Sequence, residues 1–340
     1  MRVLLVGHYP PHRGGVAKHV KALAEHLRER HEVHVLTYGP VKTLEPFVHQ
    51  VRVPGTFGLR GTSFALLASR KIVRLHERFN FDVVHAHYVG TTSFAGVLAK
   101  ERTGLPLVVT AHGSDLDHMS ELPLGNYFVR RSLLEADAVI AVSHYLAKRA
   151  ISLGAKGIRV IPNGVDTKGN RERGEAVIFI GRLAKYKGVK DFIELARRFP
   201  EEEFWVVGHG PLMGKLKELA PINVRFLGYM DNVATILERA KALVLPSQRE
   251  GFGLVILEAN SFNVPVLGRE VGGIKELIRE GKNGLTFKDV DEATEALRKL
   301  LEPKDNKKMG VTGQRIARKY SWEAICRKVE KVYEEVAGRG

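Results

Sequence analysis

The sequence predicts an α/β protein built as two Rossmann-like, parallel-sheet domains of similar size. Three observations carry this. Short apolar runs alternate with longer helical patterns, and do so twice. The alternation breaks once, near residues 161–175. The chain has 340 residues, more than one compact core usually serves. The first domain is expected over residues 1–165 and the second over 166–320, with a helix over 321–338 packing back on the first.

The elements follow in order. RVLLVG (2–7) is a strand, its apolar run too short for a signal sequence. An amphipathic stretch near Val16–Arg30 follows. EVHVLT (32–37), DVVHAH (82–87), PLVVTA (106–111) and DAVIAV (137–142) read as strands, with helical patterns such as FALLASRKIVRLHERF (64–79) between them. Near-continuous apolar runs suit strands buried on both faces, as in parallel sheets. IPNGVDTKGNRERGE (161–175), rich in Gly, Asn and charge, reads as a linker. Alternation restarts with AVIFIG (176–181), then EFWVVG (203–208), VRFLG (224–228), ALVLPS (242–247) and VPVLG (264–268). SWEAICRKVEKVYEEVAG (321–338) is a long helix with Ser321 as N-cap.

Composition narrows the function classes. A single cysteine, Cys326, excludes an internal disulfide and a cysteine metal cluster, which fits a reducing, cytoplasmic compartment. No apolar run is long enough to span a bilayer. The formal charge of +15 favours acidic partners or, equally, a solvated basic surface. Lys18, Lys21, Arg70, Lys71 and Arg74 lie on expected helices and suit peripheral contact with anionic lipid at the inner membrane face; no nucleic-acid partner is expected.

In open parallel sheets, ligands bind beyond the carboxyl ends of the strands. The loops there are rich in Gly, His and charge. In HRGGV (12–16), Gly14 and Gly15 let backbone approach a ligand and open a helix whose N–H groups suit phosphate. In GRLAKYKG (181–188), Arg182 and Lys187 can set two cations on one pyrophosphate and replace a divalent ion. VVGHGPL (206–212) reads as tight strand-to-helix packing. His85 and His87 read as buried structural histidines and no metal site is expected, whereas His112, followed by Gly113 and Asp115, suits substrate hydroxyls or phosphate. EGFGLVILEA (250–259) carries a carboxylate at each end of its apolar run. Were the stretch wholly helical, Glu250 and Glu258 would stand about 12 Å apart along the axis. That span fits Glu250 on a sugar and Glu258 on a ribose diol, with glycine N–H groups on the phosphates between.

Together HRGG, HGSD, NGVD, GRLAKYKG, LGY, PSQREGFGLVILEA and VGGIKE, in this order over nearly the whole chain, resemble the family 4 glycosyltransferases of the GT-B fold. The resemblance implies two Rossmann-like domains whose sheets face a cleft, metal-independent chemistry and retention of anomeric configuration. It implies no cofactor: the nucleotide-sugar is a substrate, with a UDP-sugar favoured over a GDP-sugar. Residue by residue, it sets Gly15 near the donor phosphate and His112 on the transferred sugar or its phosphate. Arg182 and Lys187 fall on the departing diphosphate and Glu250 on the sugar hydroxyls. Phe252, Gly253, Leu254 and Val255 lend backbone N–H groups, and Glu258 takes the ribose. One departure is that NGVD continues into a short charged TKGNRERGE rather than an aromatic and a longer loop.

The expected reaction moves a hexose to an acceptor hydroxyl. Rivals are another enzyme of the same fold, a sugar-nucleotide epimerase or a phosphorylase, and a non-enzymatic polyanion-binding protein. A lysine-bound pyridoxal absorbance would mark a phosphorylase. Salt-sensitive binding indifferent to nucleotide would mark the polyanion binder.

Overall fold

The computed structural model describes residues 1–39, 45–53, 60–167, 169 and 174–338. The chain divides into two units, Met1–Gly164 with Trp322–Gly340, and Val165–Ser321.

The first unit holds seven strands: β1 (Arg2–Val6), β2 (Glu32–Tyr38), β3 (Val48–Val51), β4 (Val83–His87), β5 (Leu107–Ala111), β6 (Ala138–Ala141) and β7 (Ile158–Val160). They pair in the order β3-β2-β1-β4-β5-β6-β7, every pair parallel. β4, β5 and β6 are buried at every position, as helices on both faces demand. β3 and β7 were not legible in the pattern. They are short edge strands, and VHQV and IRV interleave polar residues because an edge is only partly covered.

The second unit holds β8 (Ala176–Ile180), β9 (Glu203–Val207), β10 (Val224–Gly228), β11 (Ala240–Leu245), β12 (Val266–Arg269) and β13 (Gly284–Phe287), in the parallel order β10-β9-β8-β11-β12-β13. β13 is another edge strand absent from the sequence expectation. β12 begins at Val266 rather than Val264, since Pro265 has no N–H to donate.

The terminal helix Trp322–Ala337 belongs to the first unit. Trp322, Ile325, Cys326, Val329, Val332, Tyr333 and Val336 recur at helical spacing and join the core of Val3, Leu5, Val20, Leu23 and Val108. Burying each large apolar side chain there contributes about 1.5–3 kcal/mol. His85 ties the helix down further, its Nδ1 lying 2.6 Å from the Tyr333 hydroxyl and its Nε2 2.6 Å from that of Thr110. Ser321 immediately precedes the helix, in the position expected of its cap. The expected linker 161–175 is described only in part, and Lys168 and Asn170–Arg173 lie outside the described residues.

Each sheet reverses its winding once. The chain places β2 on one side of β1 and β4 on the other, and likewise β9 and β11 on either side of β8. Loops diverge at such switch points and leave a crevice beyond the carboxyl ends of the strands. The loops after β8 and β11 are GRLAKYKG and the start of PSQREGFG. Topology alone therefore brings the two charged motifs together.

Candidate active site

The loop after β8 passes Arg182 and makes a single 3-10 turn, Lys185–Lys187, before Gly188 opens the helix Val189–Arg198. Gly188 has φ +65°, and a Cβ there would collide with the Pro246 carbonyl oxygen. This close approach seats the loop after β8 on the loop after β11. The Gln248 N–H donates to the Tyr186 carbonyl at 2.7 Å. Lys187 Nζ donates to Glu250 Oε2 at 2.5 Å, and the Ser247 hydroxyl donates to the same oxygen at 3.2 Å. Only 18% and 15% of the Lys187 and Glu250 side chains are exposed, so salt screens the pair weakly. The loop after β12 joins them, its Gly273 N–H bonding the Glu250 carbonyl at 3.0 Å. Arg269, at the end of β12, reaches Asp191 on the helix after the first loop at 2.5 Å and the Pro246 carbonyl at 3.3 Å. Arg182 is exposed and makes no ion pair among the described residues. The two cations expected to act alike thus differ: Lys187 is held by a carboxylate, and Arg182 is open.

Beyond Glu250 the chain is not helical until Leu254. Phe252 is buried, Gly253 adopts φ +89°, and the helix runs Leu254–Ser261. The 12 Å axial separation of a continuous helix therefore does not apply to Glu250 and Glu258. Leu254 and Val255 head the helix, and their N–H groups have no intrahelical acceptor; that of Ile256 already bonds the Gly253 carbonyl at 2.8 Å. The glycines of VVGHGPL serve packing. A Cβ at Gly208 or Gly210 would strike the carbonyl oxygen of Gly181 or Leu183.

In the first unit, Gly14 (φ +118°) precedes the helix Gly15–Leu27, and nothing lies within 4 Å of where a Cβ would sit on Gly14 or Gly15. This helix start is open to an anion. His112 follows β5 and is half-buried. Its loop wraps the fully buried Asp115, whose carboxylate accepts from the N–H groups of Val89 (2.9 Å), His112 (2.9 Å), Gly113 (2.6 Å) and Leu116 (3.1 Å). Burial pushes the Asp115 pKa up, and these donors oppose it. Asp115 thus organises the loop that carries His112, and its oxygens are taken by backbone N–H groups.

The histidines separate in role. Burial holds His85 at a pKa of about 3, a neutral structural imidazole. His87 Nδ1 stands 3.3 Å from His112 Nε2. Burial first, then neighbouring histidines, keep both pKa values well below 6.5. His19, on the helix Gly15–Leu27, joins them: the three residues bring one nitrogen each within 4.8 Å of one another. Sequence spacing could not reveal this, because it depends on packing a helix across two strand ends.

Other residues escaped the sequence expectation. Tyr88 follows β4 at φ +80°, rare for an aromatic, with the Thr92 hydroxyl donating to the carbonyls of Tyr88 (2.5 Å) and His87 (2.9 Å). The Tyr38 hydroxyl lies 2.6 Å from His8 Nε2. Their one sequence signal is position at or just after the end of a strand. Two Asp-x-Asp spacings also follow strands, Asp115/Asp117 and Asp289/Asp291. Neither presents a carboxylate pair to a metal: Asp115 is saturated, Asp289 caps the helix Val290–Leu301, and Asp291 pairs with Arg198 at 2.6 Å.

Two α/β units, each built on one parallel sheet, define the GT-B fold. Structural likeness extends over the whole chain: sucrose-phosphate synthase from Thermosynechococcus elongatus shares the fold with a TM-score of 0.87 at 19% identity, covering 100% of both chains. Anabaena HepE, solved with UDP-glucose, gives 0.82 at 20% identity, covering 98% of this chain and 100% of that one. Residues 13–168 match Glycosyltransferase Family 4, and residues 163–319 match Glycosyl transferases group 1. An uncharacterized glycosyltransferase of Methanocaldococcus jannaschii is 30% identical over 352 residues, 99% of each chain. The N-acetyl-alpha-D-glucosaminyl L-malate synthase of Bacillus anthracis is 28% identical, over 96% of this chain and 95% of its own. The chain belongs to the family 4 glycosyltransferases, and its chemistry is glycosyl transfer. Among the described residues, no helix is long and apolar enough to cross a membrane.

Proposed function

We propose that this glycosyltransferase moves a hexose from a nucleoside-diphosphate sugar to an acceptor hydroxyl, with retention and without a metal at the donor. The observation that carries this reading is the Lys187–Glu250 contact of 2.5 Å at the switch point of the second sheet. A cation for phosphate and a carboxylate for sugar hydroxyls are fixed against each other, with open helical N–H groups at Leu254 and Val255 a few residues on. Glycosidic cleavage builds negative charge on the leaving diphosphate. Lys187, already held by Glu250, and the open Arg182 stabilise that charge more in the transition state than in the ground state. Glu250 accepts from hydroxyls of the departing sugar, Glu258 from the ribose, and His112 contacts the sugar or its phosphate. In the first unit, the open helix start at Gly14 and Gly15 offers N–H groups to a phosphate. The structure of HepE with UDP-glucose supports a UDP-sugar as the first donor to try.

The experiment is a panel of UDP- and GDP-sugars scored by thermal shift and then by donor hydrolysis in EDTA, with product anomers read by NMR. Saturable, nucleotide-selective turnover in EDTA with retained configuration is expected. Turnover that requires added Mg²⁺ or Mn²⁺, or an inverted product, overturns the reading.

A further inference from the structure

The helix Pro303–Ala317 belongs to the second unit and turns one face inward. Asn306, Met309, Gly310, Gly313, Ile316 and Ala317 are buried. Two glycines let that face sit close: a Cβ at Gly310 would strike the Asn263 carbonyl oxygen, and one at Gly313 the Asn260 side chain. The Asn306 amide donates to the carbonyls of Lys241 at 2.9 Å and Leu300 at 3.0 Å. The helix is thus pinned, which fixes its outer face. That face carries Lys304, Lys307, Lys308 and Arg315, all exposed, and the 3-10 turn Arg318–Tyr320 continues it with the exposed Arg318 and Lys319. At the α-helical repeat the first four share an arc of about 100°, and the row of cations is roughly 20 Å long.

We propose that this cationic ridge is a docking surface for the face of an anionic lipid bilayer. Folding gains nothing from the ridge. Lys304 and Lys308 are like charges one turn apart, and such neighbours repel. Lys304 also stands in the first turn of the helix, the end whose dipole disfavours a cation. Other surface helices follow a different pattern. They set a carboxylate one turn from a basic residue, as in Arg131–Glu135, Arg298–Glu295 and Arg327–Glu323. Among the described residues, none of the ridge cations forms an ion pair, although Glu302 and Asp305 lie beside Lys304 in sequence.

The make-up of the ridge selects a bilayer over other polyanions. A bilayer presents a plane of phosphates, and a straight row of cations on a convex helix meets a plane along its whole length. Cations so aligned add their attraction to the surface potential. Val311, 41% exposed, sits in the middle of the row. An apolar side chain suits the headgroup boundary, where the stems of Lys and Arg extend the same contact. Nucleic-acid readers add aromatic platforms or amide side chains for the bases. No aromatic residue stands among the ridge cations, and Gln314, the amide at the edge of the row, already donates to the carbonyls of Gly169 at 3.0 Å and Ser261 at 3.1 Å. Of the first-unit cations expected to meet lipid, Lys18 and Lys71 are half-buried and Lys21 pairs with Glu25, which leaves Arg70 and Arg74 as the comparison.

The test is sedimentation of the full chain with vesicles of phosphatidylcholine, alone or mixed with phosphatidylglycerol. Binding to the anionic vesicles only, released by salt, is expected. Lys304→Gln/Lys308→Gln/Arg315→Gln removes three charges and should weaken partition by about 10²-fold. Gln is as good a helix former as Lys or Arg, so the melting temperature of this variant should not fall, and circular dichroism checks its fold. Arg70→Gln/Arg74→Gln should bind anionic vesicles as the wild type does. A duplex oligonucleotide is run in parallel. No sedimentation of the wild type, equal binding to neutral vesicles, undiminished binding by the triple variant, or an equal loss in the Arg70/Arg74 variant overturns the assignment. So does oligonucleotide binding that outlasts vesicle binding as salt rises and is lost in the triple variant, because the face then serves nucleic acid.

Discussion

Lys187 and Glu250 are 63 positions apart in sequence and 2.5 Å apart in space. The first follows β8 and the second β11, and those strands are neighbours at the point where the second sheet reverses its winding. A carboxylate beside a cation proposed to bind phosphate looks counterproductive. It is useful if the lysine must be held in place before the donor arrives, because a flexible ammonium would lose rotamer entropy at the moment of reaction.

The first prediction tests that coupling. Lys187→Ala should lower kcat by about 10²-fold, the scale of losing one preorganised charge-stabilising group. It also leaves Glu250 less oriented, so the two sites should not behave independently. The Lys187→Ala/Glu250→Ala double variant should lose much less than the product of the single losses. A double-mutant cycle on donor hydrolysis measures this; multiplicative losses would separate the roles of the two residues.

Gly188 is where loop geometry becomes a stability statement. Its φ of +65° costs a side-chain-bearing residue about 1–3 kcal/mol, and a Cβ also meets the Pro246 carbonyl. Gly188→Ala should lower the melting temperature by several degrees and reduce turnover further than unfolding explains, because it lifts the loop carrying Lys187 from the loop carrying Glu250. Gly214, inside the helix Met213–Leu219 and with nothing within 4 Å of an added Cβ, is the control, and Gly214→Ala should leave turnover unchanged without lowering the melting temperature.

Much of this was legible in the sequence, for identifiable reasons. Central strands such as β4 and β8 are buried on both faces, so their apolar runs stand out; β3, β7 and β13 lie on edges and do not. Lys187 and Glu250 sit in loops after central strands, so strand order alone predicts that they meet. The start of the helix after Glu250 was not legible, because Gly253 in the left-handed region decides it and glycine permits either outcome. The approach of His19 to His87 and His112 was hidden more deeply, since it depends on how one helix face packs across two strands.

Acid should weaken the first unit through His49. Its ring stacks on His34 with centroids 5.1 Å apart, and His49 Nε2 lies 2.9 Å from His34 Nδ1. Burial, then the charges of His34, Lys71 and Arg78, lower its pKa from 6.5 to about 4. Between pH 6.5 and 4 the unfolded chain therefore binds a proton that the folded chain does not. Stability falls as pH falls through that window. His49→Gln should flatten the dependence of melting temperature on pH between 6.5 and 4 without changing it above 7. An unchanged slope would assign the acid sensitivity to other groups.

The two glutamates of EGFGLVILEA should respond differently to truncation. Glu258 lies a helical turn beyond Leu254, in a helix, and half-buried. A ribose contact there is the same in ground and transition states, so Glu258→Ala should mainly raise the donor KM. Glu250 is fixed by Lys187, Ser247 and, through its backbone, Gly273. On the proposed reading its contact is with the reacting ring, where misplacement by an ångström is costly, so Glu250→Ala should mainly lower kcat. A donor lacking the ribose diol should be insensitive to Glu258→Ala, because the partner is already gone. A purely structural role predicts another pattern, in which both variants melt lower and activity falls only in step with unfolding. Melting temperature and donor kinetics measured on the same preparations separate the two, and equal kinetic damage with a large drop in melting temperature would make both glutamates scaffold.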